Sequence, residues 1–313
     1  MNVKNLNEEY NDLRDNGQIE FITFHPSYSY EEFIEGITVD LENNLEDNNE
    51  VKYIMREGIF KKLCKRALAS IINDIDDVEN WKWKDVFEEF EKNRGKLSFE
   101  NAEKYVLIID EINRGDIAKI FGELITLLEA DKRLDGENEL IVTLPMSGER
   151  FAIPPNVYII STMNTADRSI ALLDVALRRR FGFVEMNPKF EILQDYINSN
   201  KKDFENDVID LLNQSIEALK KVNSKICKDK SIGRDKQIGH SFLFKVHNRE
   251  DLLLVWKHEI LPLLEEYCYS DYSKINHILF DKTGDSEWIT EVDGIKEFEI
   301  DQLEKMIELI NGQ

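Results

Sequence analysis

With 313 residues, 42% of them apolar, the chain has enough material for one large or two ordinary packed domains, so a disordered or fibrous protein is excluded. Its 62 acids against 40 bases give a net charge of −22 with no basic stripe, which disfavours broad direct contact with nucleic acid. The three cysteines, Cys64, Cys227 and Cys268, are widely spaced, and no apolar run approaches the roughly 18 residues of a membrane span, so the reading is a soluble, cytoplasmic protein with reduced thiols.

In chain order, the first strand is expected over 19–25 (IEFITFH), followed by a turn at Pro26 and Ser27 and a short helix in PSYSYEEFIEG. Residues 39–50 (VDLENNLEDNNE) hold five acids, four asparagines and no base, the composition of an exposed loop or hairpin. Apolar spacing over 58–72 predicts a helix. The polar stretch 73–104, anchored by Trp81, Trp83, Phe87 and Phe90, predicts a helical insertion. A second strand is expected over 105–110, a helix over 116–131, and a hairpin turning at Ser147 and Gly148 before Pro154 and Pro155. Further strands are expected over 157–163 and 181–186, after which the periodicity is almost wholly helical, with breaks near Gly233 and Gly239. The division falls near 187: an α/β part over 1–187 and a helical part over 188–313.

Chemistry concentrates where YVLIID runs into Glu111. In an open parallel sheet the carboxyl ends of strands face the ligand cleft, so Asp110 and Glu111 stand where one acid can serve a Mg²⁺ ion and the next can orient water. The competing reading is an acid that merely caps the next helix. Fifty residues on, a comparable strand ends in MNTADRS, placing Asn164 at the same edge. Arg178, Arg179 and Arg180 then close a short helix, where they either supply charge to a phosphate or complement the helix dipole.

Taken together, FHPSYSYEEFIEG, GIFKKLC, IIDEINRGDIAKIFGELITLLE, VYIISTMNTADRSIALLDVALRRRF, IGHSFLF and ILPLLEEY resemble the AAA+ ATPase superfamily, and within it the McrB-type NTPase subunits of modification-dependent restriction systems. The resemblance implies an α/β P-loop-type parallel sheet followed by an α-helical lid. It makes Asp110, the Mg²⁺ ligand, and Glu111 the Walker-B acids, Asn164 the sensor-1 residue, and Arg178 and Arg179 the arginine fingers. Arg114, Arg168 and Arg180 would lie at a subunit interface, and Arg234 or His240 would touch nucleotide from the lid. It further implies GTP or ATP as ligand, a homo- or hetero-oligomeric ring, expected to be a hexamer, a McrC-like nuclease partner, and DNA contacted only indirectly, with no role for a membrane. The alternatives are a non-hydrolysing scaffold or regulatory subunit, and a MoxR or dynein-related remodelling protein.

One motif of that family is not found. A phosphate-binding loop needs Gly-x-x-x-x-Gly-Lys-Ser/Thr, and of the 14 glycines only Gly95 precedes a lysine, with Phe90 and Leu97 at the positions of the first glycine and the hydroxyl. The expected sheet therefore lacks its central first strand, between 157–163 and 181–186, and a segment carrying strand and loop is expected in trans.

Overall fold

The computed structural model describes residues 3–39, 53–72, 75, 77–166 and 175–312. The chain divides into two compact units, Met1–Gly182 and Phe183–Gln313.

In the first unit, helix α1 (Val3–Asp15) leads into β1 (Ile19–Thr23), and a short helix α2 (Tyr30–Phe33) into a hairpin of β2 (Glu35–Val39) and β3 (Tyr53–Glu57). Helix α3 (Ile59–Ala69), helix α4 (Trp83–Asn93) and strand β4 (Tyr105–Asp110) follow. After α5 (Ile117–Phe121) come a second hairpin, β5 (Val142–Thr143) with β6 (Arg150–Phe151), then β7 (Val157–Ser161) and a last short helix, α6 (Val175–Arg178). Strands β1, β4 and β7 form a parallel sheet in the order β1-β4-β7.

Side-chain alternation gives this sheet two unlike faces. Ile22, Leu107, Ile109 and Val157 are buried with Phe60, Leu63, Cys64 and Leu68 of α3 in one core. On the other face the register aligns Phe21 with Ile108 and Ile160, and Ile19 with Val106 and Tyr158. That face is open: Phe21 is 54% exposed, Tyr158 46% and Ile160 58%. Parallel sheets are ordinarily covered on both sides, because each strand is apolar throughout.

Two sequence expectations change. No strand forms over 181–186; Val184 and Met186 are each 84% exposed, and a strand is stable only where a neighbour completes its hydrogen-bond ladder. The helix expected over 116–131 stops at Phe121, because Gly122 turns to φ 51° and the chain continues as 3-10 turns over Gly122–Leu128. The backbone angle at Gly122 favours glycine, and a Cβ there would press on the ring of Tyr30 at 3.1 Å. Within the stretch 73–104, α4 buries Trp83, Val86 and Phe90 in the core, and the Trp83 indole N–H donates to the Arg150 carbonyl at 2.7 Å.

The second unit is helical, with α7 (Phe190–Ser199), α8 (Asn206–Lys228), α9 (Arg249–Val255), α10 (Leu261–Tyr267), α11 (Tyr272–Phe280) and α12 (Ile300–Asn311), plus the small ladder of β8 (Ile289–Thr290) and β9 (Gly294–Ile295). The long α8 packs against α12, and the buried Trp256 indole donates to the Ser215 hydroxyl at 2.8 Å. Asn223 fixes the loop before residue 240 twice over, donating to the Ile238 carbonyl at 2.9 Å and accepting its N–H at 2.7 Å. No described helix is long and apolar enough to cross a membrane.

Candidate functional site

Asp110 is the last residue of β4, paired in register with Thr23, and Phe24 N–H donates to its carbonyl at 2.9 Å. The strand ends because Glu111 takes up a left-handed conformation, φ 53° and ψ 46°, uncommon for a residue with a Cβ. That turn separates the two carboxylates and starts the 3-10 turn Ile112–Arg114.

The acids are held from the neighbouring strand. Thr162, one residue past β7, donates its N–H to the Ile109 carbonyl at 2.9 Å and accepts Ile112 N–H on its own carbonyl at 3.0 Å. Its hydroxyl donates to Asp110 Oδ1 and accepts the Glu111 N–H at 3.1 Å. A single side chain thus fixes the carboxylate of the first acid and the backbone of the second. Glu111 Oε2 lies 3.1 Å from Arg114 Nε, close enough for charge attraction but outside hydrogen-bond alignment, and this buried oxygen has no hydrogen-bond partner among the described residues.

Asn164 reaches the same edge. Its carbonyl accepts from Asn113 Nδ2 at 3.3 Å, while its own Oδ1 accepts Ala166 N–H at 3.0 Å and closes a local turn. Asn113 is buried, and its Oδ1 is a second acceptor without a hydrogen-bond partner beside the acid pair. Sequence reasoning missed both Thr162 and Asn113. The available signal was a pair of polar residues in otherwise apolar surroundings, in STMN and in DEIN.

The turn after the acids is shaped by close packing. A Cβ on Gly115 would meet Ile120 at 2.7 Å and Phe24 at 3.0 Å. Tyr30 donates to Glu123 at 2.8 Å, and burial together with that carboxylate pushes the Tyr30 hydroxyl far above the ordinary tyrosine range, so it stays a donor. Burial and the Glu32 charge push Tyr28 up to about 12.

Of the other anticipated residues described in the first unit, only Arg114 lies beside the acid pair. Arg180 pairs with Glu129 at 2.8 Å, and Arg179 and Arg180 line an open cleft of about 520 Å³ with Leu128, Glu129, Ala130 and Asp131. Arg178 is the exposed last residue of α6. Arg114 stays with Glu111, and Arg168 lies outside the described residues. Arg234 and His240 belong to the second unit, where Arg234 is exposed with its Nε 3.5 Å from Glu185. His240 Nδ1 accepts Lys189 N–H at 3.2 Å and its ring lies against Phe190 and Phe244, so this histidine already has a packing role. Among the described residues no group of three or more His, Cys, Asp or Glu side chains converges as a metal cage. A Mg²⁺ ion at Asp110 would take one protein carboxylate and complete its shell with water and phosphate oxygens, a common arrangement for that ion.

A parallel sheet with an acid pair at its carboxyl edge, followed by a helical unit, defines a two-unit α/β protein with its candidate site at the end of the sheet. The model of the AAA domain, dynein-related subfamily, matches residues 4–181, and that of the McrB alpha-helical lid domain matches residues 207–276. The chain belongs to the AAA family and is of the McrB type. It is 35% identical over 261 residues to the type IV methyl-directed restriction enzyme EcoKMcrB subunit of Escherichia coli strain K12, an alignment covering 81% of this chain and 48% of that protein. It is 27% identical over 292 residues to the type II restriction enzyme BsuMI component YdiS of Bacillus subtilis strain 168, covering 81% of this chain and 74% of that one. The chain thus spans about half the length of its E. coli relative.

Proposed function

We propose that this chain is the nucleotide-hydrolysing part of an McrB-like restriction system, in which turnover of GTP or ATP in a ring of subunits, expected to be six, drives a McrC-like nuclease partner. The observation that carries the reading is the acid pair at the end of β4, clasped by Thr162 and flanked by Asn113 and Asn164. Mg²⁺ held at Asp110 would neutralise phosphate charge. Glu111, whose Oε2 lies beside Arg114, accepts a hydrogen bond from the attacking water and draws off its proton, and Asn164 holds that water from the side. Arg178 and Arg179 act on the nucleotide of a neighbouring subunit, with Arg114, Arg168 and Arg180 at that interface, and Arg234 or His240 touches nucleotide from the lid.

Phosphate binding needs a cradle of backbone N–H groups. In this reading a strand, loop and helix segment supplies it, from elsewhere in a longer chain or in trans. The uncovered sheet face and the outer edge of β7 support that placement, since an added strand and helix would bury Phe21, Tyr158 and Ile160. The test is nucleotide titration of the purified chain with Mg²⁺, alone and with the corresponding segment of a relative. Weak binding alone and tight binding with the segment is expected. Sub-micromolar binding by the chain alone would overturn the need for it.

A further inference from the structure

The two hairpins of the first unit, β2–β3 and β5–β6, are distant in sequence and meet over buried charge. Glu35 and Glu57 face each other in register at the stem of the first, a like-charged cross-strand pair that would repel if left alone. Two buried lysines one helical turn apart on α3 offset this: Lys61 Nζ lies 2.7 Å from Glu35, and Lys65 Nζ 2.9 Å from Glu57. Lys61 also reaches Glu149, just before β6, at 2.7 Å. The second oxygen of Glu35 accepts Ser147 N–H at 2.8 Å and Met146 N–H at 3.3 Å from the turn between β5 and β6. Glu57 accepts Trp83 N–H at 2.7 Å, and the Trp83 indole returns to the Arg150 carbonyl of β6 at 2.7 Å. The contacts close a ring, from β2 to the second hairpin through Glu35 and from β3 back to it through Trp83.

Both oxygens of Glu35 and both of Glu57 are engaged, so burial strands neither carboxylate. A buried ion pair adds little stability over an apolar pair of the same volume, whereas a fully satisfied polar cluster admits few other arrangements. Such a cluster therefore specifies geometry more than it adds stability. It also links events. Glu35 cannot leave its place without releasing the Ser147 and Met146 N–H groups and depriving Lys61 of a counter-ion at the same moment. Beyond the stem the first hairpin leaves the core, with Ile37 64% and Tyr53 69% exposed, so its position depends on the stem. The second hairpin is rooted by the fully buried Leu144 and Phe151, and the 144–149 turn between them is what Glu35 and Lys61 hold.

We propose that the β2–β3 hairpin and the 144–149 turn form one conformational unit, locked by Glu35, Lys61 and Glu149, that opens and closes as a whole while the sheet stays intact. Displacing the first hairpin then displaces the turn with it. The turn continues through β6 and the buried Ala152 and Ile153 into β7, and Thr162 follows that strand, so the unit is joined by the chain itself to the clasp on the acid pair. The assignment stands whether or not the acid pair turns over nucleotide.

The experiment follows hydrogen exchange at single amides of the full chain. Its reporters are the strand amides of 36–39 and 53–56 in the first hairpin, Ser147 and Gly148 in the turn, and 106–109 of β4 as the reference for global unfolding. Equal opening of the hairpin and the turn, faster than that of β4, is expected. Glu149→Gln weakens the hold from the turn side and should speed both sets by the same factor, about fivefold or more. Ile37→Gly, at an exposed position outside the cluster, should speed Ser147 and Gly148 together with its own strand. Unchanged exchange in α8 confirms that both variants are folded. Unequal opening of the two sets in the unsubstituted chain, opening of both only together with β4, acceleration confined to the substituted element, or none in either variant overturns the proposal.

Discussion

Thr162 is the residue on which the geometry of the acid pair depends most. Its hydroxyl spends its proton on Asp110 and its lone pair on the Glu111 N–H, so Thr162→Val removes both contacts at nearly constant volume. In the phosphate-loop-completed protein that variant should lose at least about tenfold in nucleotide turnover, and Thr162→Ser should restore most of it; equal losses in both would mean that packing, not the hydroxyl, matters. Lys61 offers a stability test of a different kind. Lys61→Met leaves Glu35 charged and buried without its counter-ion, which should cost roughly 3–5 kcal/mol in urea unfolding. Burial would push the Glu35 carboxyl up, but Lys61 and Ser147 together hold it below its ordinary 4.5. A depressed carboxylate stabilises the fold above its unfolded value and loses that contribution as pH falls through the folded one, so stability should decline below pH 4.5, and less steeply in Glu35→Gln. In the second unit Ser231 and Lys274 hold Asp229 at about 2 against an ordinary 3.8, which moves the corresponding loss to the window between those values.

At the scale of elements, β7 is where the first unit is unfinished. It pairs with β4 on one side, and it carries exposed apolar side chains on one face. An edge of this kind invites association. Hydrogen exchange over 157–161 and 181–186 should slow strongly when the strand, loop and helix segment of a relative is added. Strong protection of both stretches beforehand, with no change on addition, would show that the sheet needs no further strand. The same region marks what was legible in the sequence. The apolar runs at 105–110 and 157–161, and the acids and asparagine that follow them, can be read directly, because a buried parallel strand needs uninterrupted apolar residues whatever lies around it. The 181–186 run, FGFVEM, alternates like a strand yet forms none, since strand formation depends on a partner that local sequence cannot reveal. Gly122 was visible as a glycine, but its positive φ and the nearness of the Tyr30 ring, some ninety residues away in sequence, were not. Trp83 and Phe90 read as anchors of a polar insertion because the composition around them is polar, although their rings complete the main core.

At the scale of the whole molecule, the chain comprises an acid-bearing α/β unit that matches the AAA domain and a helical unit that matches the McrB lid domain. Each unit has its own core, one around α3 and the sheet, the other around α8 and Trp256, so a lid substitution such as Trp256→Ala should lower the unfolding transition of the second unit by about 3–5 kcal/mol and leave the first largely unaffected. The net charge of −22 disfavours broad direct contact with DNA by this chain. The measurement that bears most directly on this account is steady-state hydrolysis of GTP and ATP by the chain joined to the strand, loop and helix segment of a relative, compared with the chain alone and with Glu111→Gln in the joined form. Turnover confined to the joined protein, lost in Glu111→Gln while nucleotide still binds, is the predicted result. Equal turnover in the joined protein and its Glu111→Gln variant, or none in a joined protein that binds nucleotide and assembles, would contradict it.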